Sequence, residues 1–145
     1  MMIIGVDPGR KGAVALLDTA EMRVTCHPMP DTTSALHDLL ASMPPVKRAV
    51  VERPYYPQMI GIKNAVKIAE AYGILRGALQ WLSIPTRDVP PSVWKARMGL
   101  SASKDRSRER ASEAFPADAH QWGKKSQDGL AEAALIALYG AEVMK

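Results

Sequence analysis

Met2-Ile3-Ile4-Gly5-Val6-Asp7-Pro8-Gly9 is the stretch on which the fold turns. The apolar part is too short for a helix, carries β-branched residues and is bounded by a Pro-Gly pair, so it reads as a buried central strand. Gly12-Ala-Val-Ala-Leu-Leu-Asp18 follows after a short turn containing Gly9 and Gly12, the pattern of a β-hairpin. The first strand therefore stops on a carboxylate at the mouth of the sheet. Two readings of Asp7 stand side by side. An Asp before Pro-Gly starts a turn through its own side chain. An ionised acid beside buried strands is costly unless something pairs with it, and a metal ion is one such partner.

Working outward, Met22 to Met29 alternates Val24 and Cys26 and reads as a third strand closed by Pro28 and Pro30. Asp31 is the expected N-cap of a helix with Leu36, Leu39 and Leu40 on one face, ending at Pro44-Pro45. Lys47-Arg-Ala-Val-Val-Glu52 is a fourth strand that again ends on an acid ahead of a proline. After a Tyr55-Tyr56-Pro57-Gln58 loop, Ile62, Val66, Ile68, Leu75 and Leu79 mark a helix of about five turns. Ala69, Gly73 and Gly77 give that helix a groove, and two helical glycines predict a close approach to the sheet or to a partner helix. Ser83 to Val89 reads as a fifth strand, and Pro90-Pro91-Ser92 opens a short helix carrying Trp94 and Lys95. Ser101 or Ser103 caps an arginine-rich helix that stops near Phe115 because Pro116 follows. The last helix runs from about Ser126 to Val143. A three-strand meander followed by alternating helices and strands predicts an α/β fold: a five-stranded mixed sheet, its first three strands antiparallel, flanked by helices. The first and fourth strands are then parallel neighbours in the middle.

The chain has 145 residues, which suits a single domain spanning 1–145. Its apolar segments are broken by charge or glycine well short of a membrane span, and no basic leader precedes an apolar run. A soluble, intracellular protein is expected. Cys26 is the sole cysteine, which excludes an internal disulfide or a multi-cysteine zinc site and suits a small packing residue. His27, His37 and His120 show no metal-ligand spacing. Trp81, Trp94 and Trp122 read as packing residues. The formal charge of +4 lies in one place: Lys95 to Arg110 holds six cations (Lys95, Arg97, Lys104, Arg106, Arg108, Arg110) against Asp105 and Glu109, and the rest of the chain is balanced. A run of this kind is either a solvated helix face or the footprint of a polyanion such as nucleic acid.

Acids supply the chemistry. Parallel first and fourth strands would set Asp7 and Glu52 about 5 Å apart in the pairing direction. Asp128 and Glu132, four apart, share one face near the start of the last helix. Taken singly, Asp128 is a helix-start residue and Glu132 a solvated one. Taken together, four converging carboxylates repel unless cations join them. Oxygen-only ligands favour Mg²⁺ or Mn²⁺ over zinc, and two such ions about 3.5–4 Å apart activate a water and stabilise the leaving oxygen in phosphodiester cleavage.

Ile4-Gly5-Val6-Asp7-Pro8-Gly9, Val50-Val51-Glu52, Ser101-Ala102-Ser103-Lys104 and Asp128-Gly-Leu-Ala-Glu132-Ala-Ala-Leu-Ile-Ala137 resemble the motifs of the RuvC Holliday junction resolvases, of the RNase H-like superfamily. The resemblance covers nearly the whole chain, and the compact form is most similar to phage-encoded members. It implies a homodimer that binds four-way DNA junctions and nicks two symmetric strands with Mg²⁺ or Mn²⁺, in the cytoplasm of a bacterial or phage-infected bacterial cell. Asp7, Glu52, Asp128 and Glu132 match the metal-binding acids, two ions per site. The family's bacterial members usually space the last two acids by three, so the spacing here departs from the pattern at Glu132. Tyr55 stands where an aromatic wedges into the junction centre, with Tyr56 beside it; a tyrosine packed over the sheet edge is the other reading. Lys63 and Lys67 are similar to family lysines that track a backbone, and Lys95 and Lys104 match basic positions near the cleaved strand. Lys104 is expected to offset charge developing at the phosphorus, and Arg106, Arg108 and Arg110 to bind DNA. Three other readings remain: an RNase H-like nuclease acting on RNA or other branched DNA, a non-catalytic junction binder, and an actin-like or sugar-kinase ATPase. The last needs a second domain and a second phosphate loop, which this chain lacks, and no nucleotide cofactor is expected.

Overall fold

The computed structural model describes residues 1–101 and 106–143. Strands β1 (Met2–Asp7), β2 (Ala13–Asp18), β3 (Arg23–Pro28), β4 (Arg48–Glu52) and β5 (Thr86–Val89) form one sheet in the order β3-β2-β1-β4-β5. β1, β2 and β3 are antiparallel neighbours, and β4 runs parallel to both β1 and β5. Helices α1 (Thr33–Ser42) and α2 (Ile62–Trp81) pack on one face. α5 (Asp128–Val143) covers the other, flanked by α3 (Pro91–Arg97) and α4 (Arg106–Ala114). This is the RNase H-like fold, with the strand arrangement that the hairpin and the two acid-terminated strands predict. No helix among the described residues is long and apolar enough to cross a membrane.

Alternation along the strands sorts the core into two layers. Ile4, Val6, Val14, Ala49 and Val51 point to α1 and α2, where Leu36, Leu40, Leu75 and Leu79 meet them. Ala13, Ala15, Leu17 and Val50 point to α5, ten of whose residues, Ala131 to Gly140, are buried in unbroken succession. Apart from Glu132 that run is apolar or small on every face, as befits a helix enclosed by its neighbours. α2 is further tied to β5 by Asp88, which accepts from Tyr72 at 2.5 Å and pairs with Arg76. Burial first, and then Asp88, push the Tyr72 phenol up to about 12.

The outward edge of β3 is closed by side chains. Val24 N–H donates to Asp118 at 2.8 Å, Cys26 N–H to the Gln121 carbonyl oxygen at 2.8 Å, and the Gln121 amide donates back to the Val24 carbonyl at 2.7 Å. Both residues come from a 3₁₀ segment, Pro116–Trp122, and Asp118 also holds Arg23 at 2.6 Å.

Several local expectations are corrected. Thr32, not Asp31, caps α1: its backbone carbonyl takes the Leu36 N–H and its hydroxyl the Ala35 N–H. β5 starts at Thr86 because Ser83 sits at φ 57° closing α2 and Pro85 has no N–H to give a ladder. The last helix starts at Asp128, since Lys125–Gln127 is a separate 3₁₀ turn closed by the Gln127 side chain on the Lys124 N–H. Trp94 and Trp122 are buried as expected, but Trp81 is 81% exposed at the end of α2. Gly73 and Gly77 do not approach the sheet, and a Cβ at either would meet nothing within 4 Å. They lie two residues from the buried Leu75 and Leu79, about 200° round the helix. Close approach is made on the other face instead. A Cβ on Gly5 would lie 2.3 Å from the Ala133 carbonyl oxygen and 2.3 Å from the Ala137 nitrogen, so β1 and α5 touch backbone to backbone. Ser103, one of the two expected caps of α4, lies outside the described residues.

Candidate active site

Strand register sets the first two acids. Gly5 pairs with Val50 and Val6 with Val51, so the next step along both strands brings Asp7 beside Glu52. Side chains alternate, hence Asp7 shares the α5 face with Gly5, and Glu52 shares it with Val50. Two more glycines let α5 begin there. A Cβ on Gly12 would fall 1.9 Å from the Asp7 carbonyl oxygen, and one on Gly129 would fall 2.2 Å from the Lys11 carbonyl oxygen. The β1–β2 turn and the first turn of α5 are thereby pressed together, which carries Asp128 and Glu132 to the same end of the sheet.

All four acids line one open cleft of about 1100 Å³, together with Lys11, Tyr55, Ser92, Lys95, Lys125 and Ser126. Each acid is held by its surroundings. Trp94, itself fully buried, donates its indole N–H to Glu52 at 2.5 Å. Ser107 donates to Glu132 at 3.2 Å, and the Lys95 ammonium lies 3.4 Å from the same oxygen. That ammonium also sits 5.3 Å from the centroid of the Trp94 ring. Arg108 places its Nε 3.0 Å from Asp128 Oδ1. The angle there is too poor for a hydrogen bond, and both atoms are buried without a hydrogen-bond partner. Asp128 opens α5, where the helix dipole favours an anion.

Such a donor set, all carboxylate oxygen with one buried lone pair left unsatisfied, suits a hard divalent cation. The full convergence expected of the acids is nevertheless not reached: among the described residues no three His, Cys, Asp or Glu side chains stand close enough to hold a metal ion. Asp128 and Glu132 are drawn instead to Arg108, Lys95 and Ser107 on the neighbouring helices.

The remaining expected residues fall in different places. Tyr55 is 74% exposed at the cleft and Tyr56 is exposed beside it in sequence. Lys63 and Lys67 are exposed in the first turns of α2. Lys67 joins Arg10 on a second hollow of about 680 Å³, lined by α1 and α2 and containing none of the four acids. The basic segment is not a free-standing patch: Lys95 and Arg108 meet the acids, Arg97 pairs with Glu142 at 3.0 Å, and Arg110 donates to the Met98 carbonyl. Arg106 is exposed, and Lys104 lies outside the described residues. Lys11, Lys125, Trp94 and Ser107 were not expected at the site. The Lys124-Lys125 pair just ahead of Asp128 was a visible signal for one of them, whereas the Trp94 and Ser107 contacts depend on how α3 and α4 pack.

No family profile matches the sequence, and no curated protein does. Solved structures do match. Thermus thermophilus RuvC in complex with a Holliday junction substrate superposes with a TM-score of 0.70 at 16% identity, covering 97% of this chain and 92% of that one. The yeast mitochondrial Holliday junction resolvase Ydc2 gives 0.61 at 14% identity, covering 94% and 76%. The fowlpox virus Holliday junction resolvase gives 0.61 at 16% identity, each chain covered in full. At these identities the likeness is one of fold, and the chain has the fold shared by bacterial, mitochondrial and poxviral Holliday junction resolvases.

Proposed function

We propose that this protein is a structure-selective DNA endonuclease that resolves four-way junctions. The observation that carries the reading is that Asp7, Glu52, Asp128 and Glu132 all line one lysine-rimmed cleft, on a fold shared with a junction-bound resolvase. These four acids are assigned to Mg²⁺ or Mn²⁺, two ions per site, which when bound supply an activated water and a counter-charge for the leaving oxygen. The chain's own groups do the rest. Trp94 fixes the Glu52 carboxylate, and Ser107 fixes that of Glu132. Lys11, Lys95 and Lys125 on the cleft wall set positive charge against the phosphates of a strand laid across it. Tyr55 offers an exposed ring for stacking on an unpaired base, worth ~1–3 kcal/mol. Lys104 keeps its assigned role in offsetting charge at the phosphorus, and Lys63, Lys67, Arg106 and Arg110 their role in DNA binding.

Two symmetric nicks need two sites, so we assign a homodimer whose contact is the outer face of α2. That face leaves Ile62 85%, Val66 57% and Trp81 81% exposed around the open groove at Gly73 and Gly77. Trp81→Lys should shift the sedimentation of the protein toward monomer, and an unchanged dimer would move the contact elsewhere.

Asp7→Asn tests the function. With Mg²⁺ the wild type should nick a four-way junction on two strands, whereas the variant should bind the junction at wild-type affinity and leave it intact. Wild-type cleavage of RNA duplexes or flaps in preference to junctions would replace the substrate class. Absence of nicking on every branched substrate at protein excess would leave a binding protein.

A further inference from the structure

α4 touches both of the α5 acids with consecutive residues: Ser107 reaches Glu132 and Arg108 reaches Asp128. The Arg108 contact is unusual in kind. Its Nε lies 3.0 Å from Asp128 Oδ1, near enough for charge attraction, yet the N–H is not aimed at the oxygen and neither atom has a hydrogen-bond partner. The guanidinium is held from its other side, one terminal nitrogen donating to the Gly123 carbonyl at 3.3 Å. About a quarter of each side chain remains open to solvent, 27% for Arg108 and 25% for Asp128. A pair of this sort is held by charge more than by directed hydrogen bonds, so a stronger partner for either member displaces the other.

The geometry points to Arg108 as an exchangeable counter-ion of Asp128: it neutralises the acid until a phosphate of the nucleic acid draws the guanidinium away and opens Asp128 to a divalent ion. This rests on the nuclease reading above and adds a regulation to its site. It accounts for two observations at once. The carboxylates line one cleft without converging, because the α5 acids are held by cations of α3 and α4. Lys95, Arg97 and Arg108 of the basic segment are in turn occupied within the chain. Arg suits such an exchange, since its planar fork binds phosphate in two-point fashion and a carboxylate equally well. Metal and DNA then help one another, and linkage requires each to raise the other's affinity by the same factor.

The test compares wild type, Arg108→Gln and Arg108→Lys, all good helix formers, so α4 is preserved. Mn²⁺ binding to the full chain without DNA is followed by the electron paramagnetic resonance of the free ion, and junction binding in EDTA by fluorescence anisotropy. Arg108→Gln should bind Mn²⁺ about fivefold tighter or more, the lower end of ordinary couplings. It should bind the junction more weakly, with a salt slope smaller by about one. Arg108→Lys should restore the wild-type Mn²⁺ affinity. Unchanged or weaker Mn²⁺ binding in Arg108→Gln overturns the proposal, as does a lysine variant as tight as the glutamine one. A wild type that binds no Mn²⁺ at all, with or without DNA, overturns the metal-nuclease reading itself.

Discussion

Gly5→Ala is the sharpest test of how the site is assembled. The added Cβ would stand 2.3 Å from both the Ala133 oxygen and the Ala137 nitrogen and 2.8 Å from the Ala137 Cα. Ordinary contact begins near 3.4 Å, so α5 must retreat by roughly 1 Å. These neighbours are backbone, and no side chain can rotate away to relieve them. Overpacking of this kind costs ~1–3 kcal/mol, which at about 4 °C per kcal/mol lowers Tm by some 4–12 °C. The retreat also carries Asp128 and Glu132 away from Asp7, and a 1 Å misplacement costs ~100-fold in rate. Thermal unfolding followed by circular dichroism gives the first quantity, and single-turnover nicking of a four-way junction at saturating Mg²⁺ gives the second. Gly123→Ala is the control. Its backbone is helical at φ −66°, ψ −19°, and a Cβ there meets nothing within 4 Å. That substitution should stabilise by ~0.4–1 kcal/mol through the unfolded chain. A Gly5→Ala protein melting within about 1 °C of wild type would refute the backbone contact between β1 and α5.

Asp118 should give the protein an acid-sensitive clamp. Its hydrogen-bonded partner Arg23 is the main cause holding the carboxyl below its ordinary value, with the Val24 N–H helping and burial opposing. A depressed folded value contributes stability that is complete above the unfolded value, near ~3.9, and is lost as pH falls through the folded one. Asp118→Asn should therefore be less stable than wild type at pH 7 by ~1–3 kcal/mol, and the gap in urea midpoint should close below about pH 4; a gap constant with pH would sink the idea. The Cys26 thiol is pushed up to about 12, by burial first and by the Asp118 charge second. Ellman's reagent at pH 8 should label it no faster than the protein unfolds, and labelling at the rate of the denatured chain would show the site to be open.

Much of this architecture was legible in residue order. β1 and β4 each end on an acid, and once they are parallel neighbours the pairing of Gly5 with Val50 leaves Asp7 and Glu52 no other relative position. Asp128 and Glu132 needed only helical spacing. The glycines were misjudged for a physical reason: sequence shows where a side chain is missing and not which backbone fills the space. Gly73 and Gly77 looked like contacts and are open, whereas Gly5, Gly12 and Gly129 make the contacts that bring the acids together. Likewise a run of cations reads as a surface patch, because the pairing of Lys95 with Glu132 and Arg108 with Asp128 is set by the packing of α3 and α4 on α5, across separations no local pattern records.

The closed edge of β3 has a bearing on how this molecule meets others. Asp118 and Gln121 occupy the N–H and carbonyl of Val24 and the N–H of Cys26, which would otherwise form a template for another chain's strand. Sheet extension on that side is blocked unless the 3₁₀ segment peels off. Because Arg23 holds Asp118 charged below the ordinary carboxylate range, the latch outlasts mild acid and opens only as pH falls through that depressed value, so aggregates that form below it should grow from β3 outward.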